Sequence, residues 1–209
     1  MRVNDPVSPE IKRIKAELEK LRHISIKVGI QGDEDSELLM IAGVHEYGAT
    51  ITAKKAKNLT IPISPKAKGK RAADFPDLFV HKADTGNVFL AREIKRGKNK
   101  GTIECLFWLT PSVTIPERSF IRGGYDNSQD ALAQACKRAL LGVLKEKWTA
   151  EQAADHVGMA AVGIIKRYFS SLEPPKSSLT LSSDPGKTSP LMNSGRLRNS
   201  ITYKVVTEE

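Results

Sequence analysis

Pro116 divides this chain into a half that reads as sheet and a half that reads as helix, and it constrains the fold more than any other residue. Proline has no amide proton and restricts the residue before it, so a strand arriving through Ile115 stops there and no helix runs across the junction. The stretch that follows sets Arg118, Phe120 and Arg122 at alternate positions. In an extended segment those three share a side, with a guanidinium fork on each flank of the ring. Spacing alone leaves two readings. Either this is a contact surface, or Phe120 enters the core while the arginines cap carbonyls or stay in water.

Upstream of the hinge, Ser8-Pro9-Glu10 starts an amphipathic helix of about four turns, with Ile11, Ile14, Leu18 and Leu21 on one face. From Ile24 the period changes to two, and Ile24, Ile26, Val28 and Ile30 mark a half-buried strand. The turn Gly32 to Ser36 opens a second helix in which Leu38, Ile41, Ala42 and His45 share a face. It closes at His45-Glu46-Tyr47-Gly48, with Gly48 in the left-handed region. A short extended piece, 49–52, follows. Leu59 to Ile63 reads as an edge strand because of Pro62, and Ser64 to Ala73 as a lysine-rich loop. A meander then runs through 78–82, 88–94 and 102–110, with turns at Asp84 to Asn87 and Gly97 to Gly101. Apolar residues on both faces of its third strand predict cover on both sides.

Downstream, Gly123 to Asn127 reads as a break that caps a long helix with Leu132, Cys136, Ala139, Leu140, Val143 and Leu144 on one face. Thr149-Ala150-Glu151-Gln152 is a capping box, so the helix either kinks near Trp148 or gives way to a second one. Val157, Ala161, Ile164, Ile165 and Tyr168 carry that stripe up to Pro174-Pro175. Residues 173–193 read as a long exposed loop, open to burial against a partner through Leu179, Leu181, Leu191 and Met192. A last strand, 200–206, pairs back onto the early sheet. The fold expected is α+β over residues 1–209 as one domain: an antiparallel or mixed sheet packed against helices, with a basic β-meander inserted at 54–110.

Charge locates the second feature. The net charge is +9 over 209 residues, yet Lys54 to Gly101 holds thirteen Lys and Arg against Asp74, Asp77, Asp84 and Glu93, and the remainder carries twenty of each sign. A neutral body with one basic insert differs from a uniformly basic nucleic-acid binder. Its tips are Lys66, Lys68, Lys70 and Arg71 in one loop and Lys95, Arg96, Lys98 and Lys100 in another. They suit an acidic protein partner, or phosphate contacts without base readout.

Catalytic and metal motifs fail on spacing. Gly186-Lys187-Thr188 lacks the glycine a phosphate loop needs at Leu181, and His45-Glu46 meets Ala49 where a zinc protease motif needs histidine. The four histidines are scattered, and Cys105 and Cys136 read as buried thiols without metal spacing. No enzyme, cofactor or metal is expected. No apolar run reaches the roughly 18 residues of a membrane span, and the N-terminus lacks signal-peptide order, so no membrane contact is expected and the chain is read as cytosolic when made.

Four segments together resemble the tail-completion and head-tail joining proteins of long-tailed phages, including the virion morphogenesis proteins of Mu-like phages. They are Val28-Gly29-Ile30, Ala42 to Ala49, Ile115 to Arg122 and Asn193 to Tyr203. Their order matches a strand ending Val-Gly, a helix ending His-Glu-aromatic-Gly, an Ile-Pro-x-Arg-x-Phe hinge, a helical stretch and a Thr-Gly-x-Leu-x-x-Ser-Ile strand. Asn193-Ser194 stands where the family often has Asp-Thr, and the insert from about Lys54 to Thr110 falls in a variable part. The resemblance implies a structural protein of the virion, made in the host cytoplasm, that forms a hexameric homo-oligomeric ring at the head-proximal tail end or neck. Its implied partners are the tail tube protein and the head-neck connector, with transient contact to packaged DNA. Interface candidates are His45, Glu46, Tyr47, Arg118, Phe120, Arg122, Arg196 and Arg198, and Glu46 and Glu117 are the carboxylates expected to pair with Arg118 and Arg122. The alternative is a basic nucleic-acid-binding protein that uses the lysine-rich insert.

Overall fold

The computed structural model describes residues 9–31, 36–172 and 195–208. The N-cap expected at Ser8, most of the turn before Ser36, the loop 173–193, Gly186 to Thr188 and Asn193-Ser194 lie outside the described residues. The fold is α+β, with every described strand pair antiparallel. The chain divides into two compact units.

The first unit takes its described residues from 9–46, 118–172 and 195–208. It holds α1 (Pro9–Arg22), β1 (Ile24–Ile30), most of α2 (Ser36–Tyr47), α3 (Arg122–Asp126), α4 (Gln129–Lys145), α5 (Ala150–Ser170), α6 (Arg196–Asn199) and β8 (Ile201–Thr207). The last strand does return to the first, with Ile24 opposite Thr207 and Ile30 opposite Ile201. The two-stranded ladder lays one face on α5, where Phe120, Phe169, Ile165, Leu197, Ile201, Leu38 and Ala42 form the main core. Phe120 and Phe169 meet edge to face with centroids 5.2 Å apart, a geometry worth about 1 kcal/mol beyond the area buried.

Two helices meet at the capping box, as one of the two sequence readings has it. α4 stops at Lys145, and Thr149 Oγ1 accepts the Gln152 N–H while Gln152 Oε1 accepts the Thr149 N–H. Trp148 then folds over Gly142, where an added Cβ would come within 2.3 Å of the indole. On α1 the pattern departs from expectation. Ile11 is exposed and the buried residue is Glu17, because its carboxylate accepts the Ala150 N–H at the start of α5. From the same helix, Arg13 donates to the carbonyl of Val143 in the last turn of α4, satisfying a group that a helix end leaves open.

Gly123 to Asn127 is no break: α3 forms there, and Gly124 is buried against Ile165. The face expected on α4 is only partly used. Ala139 and Val143 are buried, whereas Leu140, Leu144 and Cys136 are exposed, which corrects the reading of Cys136 as a buried thiol. That side of α4 borders an open groove.

The second unit, described over residues 47–117, contains β2 (Ala49–Thr52), β3 (Leu59–Pro62), β4 (Phe79–Lys82), β5 (Val88–Glu93), β6 (Ile103–Thr110) and β7 (Ser112–Ile115). One sheet has the order β3-β6-β5-β4, so the proline-bearing β3 is an edge and β4-β5-β6 is the expected meander. β6 is central, and Leu106 and Phe107 are both buried in one cluster, where a register shift opposite Leu90 and Ala91 breaks the strand's alternation, so this core covers one face and not the two expected. The lysine-rich loop is shaped by two 3₁₀ turns, Pro65–Ala67 and Ala72–Asp74, that drive Ala67 into the small core with Leu106 and Phe107. β2 and β7 form a separate ladder that sets Ala49 opposite Ile115.

Candidate functional site

The site grows from the end of α2. Leu38, Ala42 and Glu46 recur every four residues, so they share a helix face, and all three are buried. A carboxylate on that stripe needs donors, and the chain after Pro116 supplies them. Glu46 Oε2 accepts the backbone N–H groups of Phe120 at 2.8 Å and Ile121 at 3.0 Å. Its Oε1 accepts the Ser119 hydroxyl at 2.9 Å, the Arg122 N–H at 3.0 Å and Arg122 Nε at 3.2 Å. Arg122 Nη2 also donates to the Glu46 carbonyl at 2.9 Å, which caps the end of α2. One side chain thus collects the orphan amides that open α3 and a guanidinium as well.

Two backbone features complete the clasp. Arg118 N–H donates to the His45 carbonyl at 2.7 Å, and Ser119 Oγ accepts the Gly123 N–H at 3.2 Å. Gly48, at φ +70, turns the chain away. A Cβ there would sit 3.0 Å from the Glu117 nitrogen and 3.2 Å from the Ile115 carbonyl oxygen, so only glycine suits both the φ and the space.

The alternating placement of Arg118, Phe120 and Arg122 on one side is therefore corrected. The chain turns into a helix at Arg122, Phe120 is fully buried, and the two guanidinium groups do not bracket it as a face. Phe120 and Glu46, both expected as contact residues, are spent inside the unit, and Arg118 is buried too. Burial pulls the Arg118 guanidinium below its usual range. Burial, with the Arg118 charge beside it, lowers the His45 imidazole likewise, and His45 Nδ1 has no hydrogen-bond partner among the described residues. A neutral histidine next to a buried arginine is what that combination favours.

What remains at the surface is smaller. Tyr47 is 66% exposed, Arg122 keeps half of its side chain in solvent, and Arg196 is exposed. Arg198 lies half-buried, with Nε donating to the Lys166 carbonyl. Sequence reasoning placed Glu46 in the motif and offered it as a partner for the arginines, which the pair with Arg122 bears out, but missed the backbone amides that it collects. The signal was an acid at the fourth step of an apolar helix stripe.

On the insert, Lys66 Nζ lies 2.7 Å from Glu104 Oε1 and Arg92 Nη2 lies 3.0 Å from Glu104 Oε2, so one carboxylate holds two cations. Lys66 and Arg92 together hold the Glu104 carboxyl below its ordinary range. Lys70 stands over the Phe75 ring. Lys95, Arg96, Lys98 and Lys100 follow β5 in an exposed turn. No group of His, Cys, Asp or Glu among the described residues could hold a metal ion, and none of their helices is long and apolar enough to cross a membrane. Comparison with family models, with curated protein sequences and with solved structures finds no match for this chain.

Proposed function

We propose that this chain is a structural protein of a long-tailed phage virion, a ring subunit at the head-proximal end of the tail or in the neck that completes the tail and joins it to the capsid. One observation carries the reading. The four segments that bear the family resemblance, far apart in the chain, meet in pairs: Val28, Gly29 and Ile30 lie opposite Tyr203, Thr202 and Ile201, and Glu46 clasps Ser119 to Arg122. Motifs that support one another physically make a framework, which suits a protein whose task is shape. Of the interface candidates in that framework, Tyr47, Arg122 and Arg196 are exposed and would face a neighbouring subunit. The lysine tips of the insert would meet an acidic ring or shell next to it and speed docking more than they add affinity. A ring that lets DNA slide gains nothing from a tight phosphate grip.

The test is native mass spectrometry and electron microscopy of the full chain, alone and with purified tail tubes. The expected result is a closed ring, of six copies, seated on one end of the tube. A chain that stays monomeric and ignores the tube overturns the reading. Duplex-DNA binding at micromolar strength in physiological salt, lost when the tip lysines become glutamine, would move the assignment to nucleic-acid binding.

A further inference from the structure

The first unit carries a groove that starts at Ile121 and Arg122 of the clasp and runs away from it. β1 pairs with β8 alone among the described strands. The phase of that ladder is fixed by the Glu208 N–H, which donates to the carbonyl of His23, its opposite number in the same register, at 2.7 Å. Hydrogen-bonded pairs then fall at Ser25, Lys27 and Gly29, and the backbone groups of Ile24, Ile26, Val28 and Ile30 point away from β8. Among the described residues no strand pairs with these donors and acceptors, which lie along a sheet edge, the template on which another strand can be laid.

Beside that edge lies an apolar groove of about 700 Å³, lined by Ile26 and Val28 of β1, Leu132 and Cys136 of α4 and Val157 and Ala161 of α5. It continues as a recess of about 240 Å³ past Ile24 and Leu140. The groove thus runs between an open strand edge and a helix whose apolar side is exposed, with α5 as its floor. A trough of this kind offers less than the roughly 1,200 Å² that a stable globular interface buries. It fits an extended segment.

The outer face says what that segment should carry. Lys27 and Lys204 stand directly opposite each other, both exposed, and neither has an ion pair among the described residues. Like charges placed so oppose pairing, and a carboxylate on a strand added next to Lys27 would offset them. We propose that β1 is an acceptor edge for an extended segment of a partner protein in which aliphatic and acidic residues alternate. Its aliphatic side chains enter the groove over Val157 and Ala161, its acidic ones lie beside Lys27, and its backbone completes the ladder.

The proposal stands apart from the virion reading. The probe is the acetylated, amidated peptide Thr-Glu-Val-Glu-Val-Glu-Thr, titrated into the full chain beside a version with lysine for each glutamate. The acidic peptide should bind at least tenfold tighter and slow amide exchange at Ile24, Ile26, Val28 and Ile30. Cys136→Arg, at an exposed position, should weaken binding more than tenfold with an unchanged thermal transition, and Lys27→Glu should reverse the charge preference. Any of three results overturns the proposal: neither peptide protects β1, Cys136→Arg binds as the parent does, or Cys136→Arg dissolves a self-associated form in the absence of peptide, which would give the groove to a second copy. Failure to form rings on tail tubes leaves these outcomes untouched.

Discussion

Glu17 and Ala150 meet across 133 positions of chain, the Ala150 backbone N–H donating to Glu17 Oε2 at 2.7 Å. A helix start that already has its own threonine cap thus receives a second acceptor from another helix. The Ala150 N–H first, then Lys20, hold the Glu17 carboxyl below its ordinary range. A depressed folded-state value stabilises the fold above the unfolded-state value of about 4.3 and stops doing so as pH falls through the folded-state value. Glu17→Ala should cost about 1–3 kcal/mol near neutrality. Urea midpoints of parent and variant should converge as pH falls below the unfolded-state value, and a gap that does not narrow in acid would contradict the role given to the carboxylate.

Removing the carboxylate of Glu46 leaves the amides of Phe120, Ile121 and Arg122 without their acceptor. Glu46→Ala should therefore cost about 2–4 kcal/mol. Arg122→Ala should cost no more than about 1 kcal/mol, since its side chain is half in solvent and its ion pair is screened. Equal losses in chemical denaturation would mean that the ion pair, and not the amide clasp, holds the hinge.

Two helix glycines should respond in opposite senses to alanine. In Gly43→Ala the new Cβ meets nothing within 4 Å, so helix propensity should raise stability by about 0.5–1 kcal/mol. In Gly158→Ala it would fall 2.3 Å from the Tyr203 ring, and overpacking of about 1–3 kcal/mol should outweigh the same propensity gain. Thermal melts of the two variants should move apart, and a shared upward shift would show that Tyr203 yields freely.

Replacing Lys66, Lys68, Lys70, Arg96, Lys98 and Lys100 with glutamine should leave the second unit folded. Of these, Lys66 is paired with Glu104, which keeps Arg92, and an exposed pair of this kind is worth less than about 1 kcal/mol. On the proposed virion role, head-tail joining should slow, with the defect largest at low salt. A lost thermal transition would show instead that the tips hold the meander together.

Local signals carried most of the architecture. The alternation of Ile24 to Ile30, the proline in β3, the turn at Asp84 to Asn87 and the capping box at Thr149 each name a local conformation, and each is where the sequence puts it. The errors came where a distant partner decides. Glu17 and Glu46 are buried because amides of Ala150 and of Phe120 to Arg122 lie over them, and no window around either acid contains those amides. Gly123-Gly124 looks like a break by propensity, but Glu46 anchors the start of a helix there and Ile165 and Tyr168 leave room only for glycine. Cys136 and Leu140 fit an apolar stripe, yet the period cannot say whether anything covers it.

The ladder between β2 and β7 bears on the ancestry of the insert. Ala49 and Ile115 lie opposite each other in an antiparallel pair, so the two ends of a long excursion stand only about 5 Å apart. A stretch with abutting ends can be swapped for another of any length, or for a two-residue turn, without moving the chain on either side of it. Gly48 and Pro116 flank that stretch, and an exchange at those points would give the clasp a different module while keeping its framework intact.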